Sequence, residues 1–174
     1  KCSQQKQEEY IGRCIEKVEE IRALSDKMFE YALVYETDEQ AEMSEMAVWE
    51  LLEEMESSQE FLKLKGFGVQ AEFHAPETAK INGNRVFFQR VFNNLFSNIL
   101  KYGEKGQPVC LTSAVNKGCL ELVFLNWKKQ QSGQVESSRI GLKSVQKMVE
   151  LQQGSFFVAE EEGTFAVTIR LPLV

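Results

Sequence analysis

The run Gln89-Arg90-Val91-Phe92-Asn93-Asn94-Leu95-Phe96-Ser97-Asn98-Ile99-Leu100-Lys101-Tyr102-Gly103 constrains this chain more than any other stretch. At roughly 100° per residue, Phe88, Phe92, Leu95, Phe96 and Ile99 fall in one apolar stripe, which predicts an amphipathic helix lying on a core. Asn94, Asn98 and Lys101 gather on the opposite side. Asparagine is a mediocre helix former, so two of them a turn apart and followed by a lysine point to chemistry. Their amide oxygens suit a hydrated Mg²⁺, and the ammonium suits phosphate. A plain solvated helix face is the competing reading of the same residues.

With 174 residues, 43% of them hydrophobic and 26% charged, the chain has enough apolar side chain for one compact core plus an appendage. A net charge of −6 and a pI near 5.0 argue against nucleic acid or an anionic membrane as the main partner, because either requires a clustered positive field. The acidity concentrates between Glu8 and Glu60. Cys2, Cys14, Cys110 and Cys119 have neither metal-ligand spacing nor the density of a disulfide scaffold, which favours reduced thiols and a cytoplasmic compartment. No apolar run reaches the ~18 residues of a membrane span, and the start has no signal-like character. The first residue falls inside a charged, helix-prone stretch, so the chain is expected to be part of something longer.

Ile11, Cys14, Val18, Ile21, Ser25, Met28, Ala32 and Tyr35 recur at alternating three- and four-residue intervals, a heptad seam running from Glu8 to about Tyr35. Ile15, Leu24, Phe29 and Leu33 widen the stripe. The helix is therefore expected to pack against several neighbours, as in a four-helix bundle, or to fold onto the chain's own globular part. A second helix is predicted from Met43 to Leu52 and on toward Glu56. Phe67 to Phe73 alternates as a half-buried strand that Pro76 ends or places at an edge. Pro108–Val115 and Cys119–Leu125 flank Asn116-Lys117-Gly118, a hairpin signal. Trp127 to Ser138, with one glycine, three glutamines and several serines, reads as a flexible loop. A helix through Val149, a strand at Ser155–Ala159, a turn at Glu160–Gly163 and a last strand to Leu171 complete an α+β fold with an antiparallel-rich sheet covered by helices.

Asn94-x-x-x-Asn98-x-x-Lys101-Tyr102 resembles the N box of the histidine-kinase ATP-binding domain, within the wider family that includes Hsp90, MutL and gyrase B. Ile140 to Phe156 looks like that family's second glycine box and the helix behind it, and Thr168-Ile169-Arg170-Leu171-Pro172 looks like its closing strand. Tyr10-Ile11-x-x-x-Ile15, Ile21, Leu24, Met28-Phe29 and Tyr31 resemble the second helix of the dimerisation and phosphotransfer hairpin. The resemblance implies a Bergerat-type ATP-binding α/β sandwich over residues 39–174, preceded by a long bundle-type helix over residues 1–38 whose hairpin partner is absent. It also implies the C-terminal part of a bacterial two-component sensor histidine kinase. Such a protein uses ATP and Mg²⁺, passes the phosphoryl group on to a response regulator receiver domain, and forms a homodimer through the N-terminal helix. This part is expected in the cytoplasm and the full protein at the inner membrane through upstream segments.

Carried over by position, Asn98 binds the Mg²⁺, Asn94 supports the phosphates, Lys101 offsets their charge and Tyr102 borders the nucleotide. The loop from Trp127 to Ser138 is the lid, and Ile140, Gly141 and Leu142 bring backbone N–H groups to the phosphates. Two departures stand out. Where the family has an Asp-x-Gly-x-Gly box, this chain has Asn126-Trp127-Lys128-Lys129-Gln130, so a neutral amide takes the adenine-binding position. The Gly-x-Gly-x-Gly-Leu box is reduced to Ser137-Ser138-Arg139-Ile140-Gly141-Leu142, where Arg139 either reaches a phosphate or plugs the site. The one histidine, His74, stands before Ala75-Pro76 in a context unlike the family's phosphoacceptor motif. No catalytic residue is therefore expected within this chain, which should not autophosphorylate alone. The alternative function is a degenerate kinase-like scaffold or phosphorelay partner without nucleotide.

Overall fold

The computed structural model describes residues 42–129 and 140–174, together with positions 6, 10–15, 17, 18, 20, 21, 24, 25, 28 and 32 of the N-terminal segment. The chain divides into two compact units, Lys1–Asp38 and Glu39–Val174. In the first, every described position is helical, and Ile11, Ile15, Val18, Ile21 and Met28 are each more than half exposed. Tyr35 of the predicted seam, and Phe29 and Leu33 of the residues that widen it, lie outside the described residues.

The second unit opens with β1 (Ser44–Ala47), α1 (Val48–Ser57), α2 (Gln59–Leu64) and a 3₁₀ turn at Lys65–Phe67. It continues with β2 (Val69–Phe73), β3 (Lys80–Gly83), α3 (Arg85–Tyr102), β4 (Val109–Asn116) and β5 (Cys119–Trp127). Then come α4 (Ile140–Leu151), β6 (Ser155–Glu161) and β7 (Thr164–Pro172). The main sheet has five strands in the order β2-β4-β5-β7-β6, with β2 and β4 parallel and the other neighbours antiparallel. Along β5 and β7 alternate residues are buried: Leu120, Leu122 and Phe124 on one strand, Val167, Ile169 and Leu171 on the other. One sheet face is thus covered by helices and the other is not, the pattern of a two-layer α+β sandwich.

The predicted helix from Met43 is a partial misreading. Ser44–Ala47 instead forms a short strand antiparallel to β3, and α1 starts only at Val48, whose N–H donates to Ala79 O at 3.0 Å. Met46 is buried opposite Ile81, and Lys80 Nζ meets Glu45 Oε1 at 2.5 Å. Tertiary pairing outweighs helical propensity over so short a run. The strand predicted at Phe67 begins two residues later, since Phe67 closes the 3₁₀ turn and Gly68 adopts φ 71°. It lies at the sheet edge.

The hairpin follows its sequence signal. Lys117 (φ 50°) and Gly118 (φ 76°) form the two-residue turn between Asn116 and Cys119, whose positive φ values match the right-handed twist of the strands. α4 ends with Gly154 N–H donating to Val149 O at 3.0 Å and Gln153 N–H donating to Glu150 O at 3.0 Å. This pattern places Gln153 at the left-handed position, φ 59°. Gln153→Gly is expected to raise stability by about 0.5–1 kcal/mol by relieving that strain, read as a shifted urea midpoint at unchanged slope.

Cys14, Cys110 and Cys119 are free thiols. His74 is exposed, and its backbone N–H donates to Ser113 Oγ at 2.9 Å. No helix among the described residues is long and apolar enough to cross a membrane.

Candidate functional site

The core fixes α3 through its aromatic stripe. Asn84 caps the helix, its Oδ1 accepting from Phe87 N–H at 3.0 Å. Phe88, Phe92 and Phe96 then stack along one side at centroid separations of 6.2 and 6.4 Å. Phe124 of β5 packs against Phe92 and Phe96 at 6.2 and 6.0 Å, and Phe61 of α2 meets Phe96 edge-on at 5.8 Å. With that side locked onto the sheet, the flank carrying Asn94 and Asn98 is left half-buried, turned toward α4 rather than to open solvent.

At the far end of α3 the chain leaving β5 is strapped down. Glu104 N–H donates to Trp127 O at 2.8 Å, Lys129 N–H to Tyr102 O at 2.9 Å and Lys128 N–H to Gly163 O at 2.7 Å. Lys129 Nζ donates to Lys101 O at 2.7 Å, and Lys128 Nζ meets Glu160 Oε2 at 3.1 Å. A cleft of about 500 Å³ opens between α3, α4 and this strap. Its apolar floor comes from Phe124, Phe156, Val158, Phe165 and Val167. α3 contributes Leu95, Asn98, Ile99 and Tyr102, and α4 contributes Leu142, Lys143 and Gln146. Asn126, Lys128, Lys129 and Glu160 close one end. Asn126 is 4% exposed, and its Nδ2 donates to Trp127 O at 3.0 Å, which leaves the amide oxygen as its remaining acceptor. This is the makeup of a small-molecule site: a mostly apolar cavity of a few hundred Å³ with few, convergent polar groups.

Of the residues singled out from sequence, Asn98, Tyr102, Asn126 and Leu142 line the cleft. Asn94 and Gly141 meet beside it, since a Cβ built on Gly141 would stand 3.7 Å from Asn94 Oδ1. Lys101 is exposed, with Nζ 5.0 Å from the centre of the Tyr102 ring, a cation–π contact at the cleft's border. Ile140 opens α4, but its side chain, Arg139 and most of the expected lid lie outside the described residues. Sequence reasoning missed the floor. The cross-strand pairs Phe124↔Val167 and Asn126↔Phe165 bring it together, and only the alternation of β5, which puts Phe124 and Asn126 on one face, hinted at it. Lys128 and Lys129 were noticed only as departures, yet they form the strap.

No model of a known protein family matches the chain. Among curated relatives it is 28% identical over 162 residues to sensor histidine kinase YrkQ of Bacillus subtilis (strain 168), covering 92% of this chain and 37% of that protein. It is 24% identical over 117 residues to sensor protein VanS of Enterococcus faecium, covering 67% of this chain and 30% of that protein. The chain thus spans only about a third of the length of these relatives. Among solved structures, histidine kinase AdeS of Acinetobacter baumannii matches with a TM-score of 0.71 at 13% identity over 94% of this chain and 83% of that one. Full-length ShkA in complex with AMPPNP matches with a TM-score of 0.71 at 14% identity, over 97% and 39% of the two chains. Histidine kinase ThkA in complex with the response regulator TrrA gives 0.67 at 15%, over 100% and 53%. The mixed five-stranded sheet packed with helices is the fold of histidine-kinase ATP-binding domains. Sensor histidine kinase relatives and solved histidine kinases cover most of the chain, which supports the resemblance to the C-terminal part of a sensor histidine kinase.

Proposed function

We propose that residues 39–174 bind Mg-ATP in this cleft. They would serve as the catalytic part of a sensor histidine kinase, with residues 1–38 as the second helix of its dimerisation hairpin. The γ-phosphoryl would go to a histidine elsewhere in the longer protein and from there to a response regulator. The full protein would sit at the membrane with this part in the cytoplasm. The observation that carries the reading is the meeting of Asn98, Tyr102, Asn126 and Leu142, drawn from three distant stretches of sequence, around one cavity.

The residues present fit the ligand. A purine fits the apolar floor, and the Asn126 oxygen offers its amine an acceptor, although the neutral amide gives a weaker bond than a carboxylate. Lys128, Lys129 and Lys143 line the cleft against one carboxylate, Glu160, which pairs with Lys128, and Lys101 stands at its border. The cleft thus carries an excess of positive charge in a chain of net charge −6, suited to a polyanion. Among the described residues no group of three or more His, Cys, Asp or Glu side chains is placed to hold a metal. Mg²⁺ would therefore take most of its ligands from phosphate oxygens and water, with the Asn98 amide oxygen as the protein's share. When bound, the ion would neutralise phosphate charge, and this chain's part is to bind and orient.

Calorimetric titration with AMPPNP, with and without Mg²⁺, tests the reading. Saturable, magnesium-dependent binding is expected. A flat titration of folded protein would favour the degenerate scaffold, the outcome in which Lys128 and Lys129 keep nucleotide out.

A further inference from the structure

The two helices that wall the cleft are joined, at the end remote from it, by one buried amide. Gln152 follows α4 directly and is 2% exposed. Its Nε2 donates to Met148 O at 2.9 Å, and its Oε1 accepts from Asn84 N–H at 2.9 Å. Both partners are groups that helix geometry leaves unpaired, a carbonyl in the last turn of α4 and the N–H of the residue capping α3. The backbone N–H of Gln152 bonds Val149 O at 3.1 Å instead of Met148 O, so the side chain fills the gap that its own main chain leaves.

The corner is packed to the limit. A Cβ on Gly83 would lie 2.6 Å from Gln152 Oε1 and 2.6 Å from Phe88 Cε2, so only glycine lets the amide and the ring come this close to the backbone. On the other side, a Cβ on Gly154 would lie 2.8 Å from Arg170 O and 2.8 Å from Val149 Cγ1. At the cleft end α4 meets α3 at an ordinary van der Waals distance, 3.7 Å between Asn94 Oδ1 and the place of a Gly141 Cβ.

We propose that Gln152 is a positioning residue for nucleotide binding: its amide pins α4 to the cap of α3 and so sets where Asn98 and Leu142 stand across the cleft. The inference rests on the nucleotide-binding reading. α4 has twelve residues and is about 18 Å long, so a tilt of a few degrees at the pin displaces its cleft end by about 1 Å. Residues that act on a ligand site through such a displacement, without touching the ligand, change its binding by about 0.5–2 kcal/mol, or roughly 2- to 30-fold.

The test is Gln152→Met, which keeps the side-chain length and removes both hydrogen bonds, titrated with AMPPNP and Mg²⁺ well below its melting temperature. Folded variant is expected to bind roughly 2- to 30-fold more weakly than wild type. Wild-type affinity in a variant that merely melts lower would overturn the proposal and leave Gln152 a structural residue. Should Gln152→Met not fold, Gln152→Glu decides. Its protonated carboxyl keeps both bonds, whereas the carboxylate loses the donor to Met148 O. The amide's two hydrogen-bond partners, Asn84 and Met148, bring no titratable side chain. The charged residues that reach this corner through their carbonyls, Glu42 at the α3 cap and Arg170 beside Gly154, are exposed, Arg170 being paired with Glu121. The affinity of that variant relative to wild type should fall as pH rises from 5 to 8, and a ratio constant over that range while the melting temperature drops would overturn the proposal. A wild-type chain that binds no AMPPNP would instead sink the nucleotide reading itself.

Discussion

Phe96→Ala is expected to destabilise the Glu39–Val174 unit by about 3–5 kcal/mol, a large share of the ~5–15 kcal/mol that holds a domain together. Phe96 is fully buried and touches three other rings, Phe61, Phe92 and Phe124, which come from α2, α3 and β5. Truncation leaves a cavity where helix layer and sheet meet, and none of those rings can fill it without leaving its own neighbours. Urea denaturation should show a much lower midpoint. Leu95 and Ile99 flank Phe96 and line the cleft, so nucleotide affinity should weaken in the folded fraction as well. A loss below about 1 kcal/mol would mean that the aromatic stack is not what fixes α3 to the sheet.

That stack was legible because it is local. Phe88, Phe92, Leu95, Phe96 and Ile99 all lie on one helix, and their period alone places them on one buried side. The hairpin at Lys117-Gly118 was legible for the same reason, its turn being encoded in two residues. β1 and β3 were not. Each has four residues, they are 33 positions apart from Ala47 to Lys80, and nothing in Ser44–Ala47 distinguishes a strand from the first turn of the following helix. The strand β2 itself was read from its alternation, but its parallel pairing with β4 was hidden, because β3 and α3 intervene and no local signal names a partner 40 residues away. At the cleft, Asn94, Asn98 and Lys101 were read from residue type and spacing and Tyr102 only from the resemblance, whereas the floor depends on the register of three strands. Gln152 gave no sign at all: a glutamine after a helix is ordinary until the fold brings Asn84 to it.

Asn98→Ala should sharply weaken magnesium-dependent nucleotide binding while leaving the fold intact. Asn98 is half-buried and lines the cleft, outside the aromatic stack, so its removal opens no core cavity. Alanine is also the better helix former, by a few tenths of a kcal/mol, so the melting temperature should hold or rise slightly. An amide bonded to a charged centre contributes about 1.5–3 kcal/mol, which corresponds to a loss of roughly 10- to 150-fold in affinity for AMPPNP with Mg²⁺. Affinity without the metal should change far less, and adenosine, which lacks phosphates, should not distinguish the two proteins. Those controls separate the competing accounts of the N-box face. A metal-linked loss at constant melting temperature is what a ligand gives. An equal loss for adenosine would make Asn98 part of the base pocket, and no loss at all would return the helix's polar side to a simple solvated face.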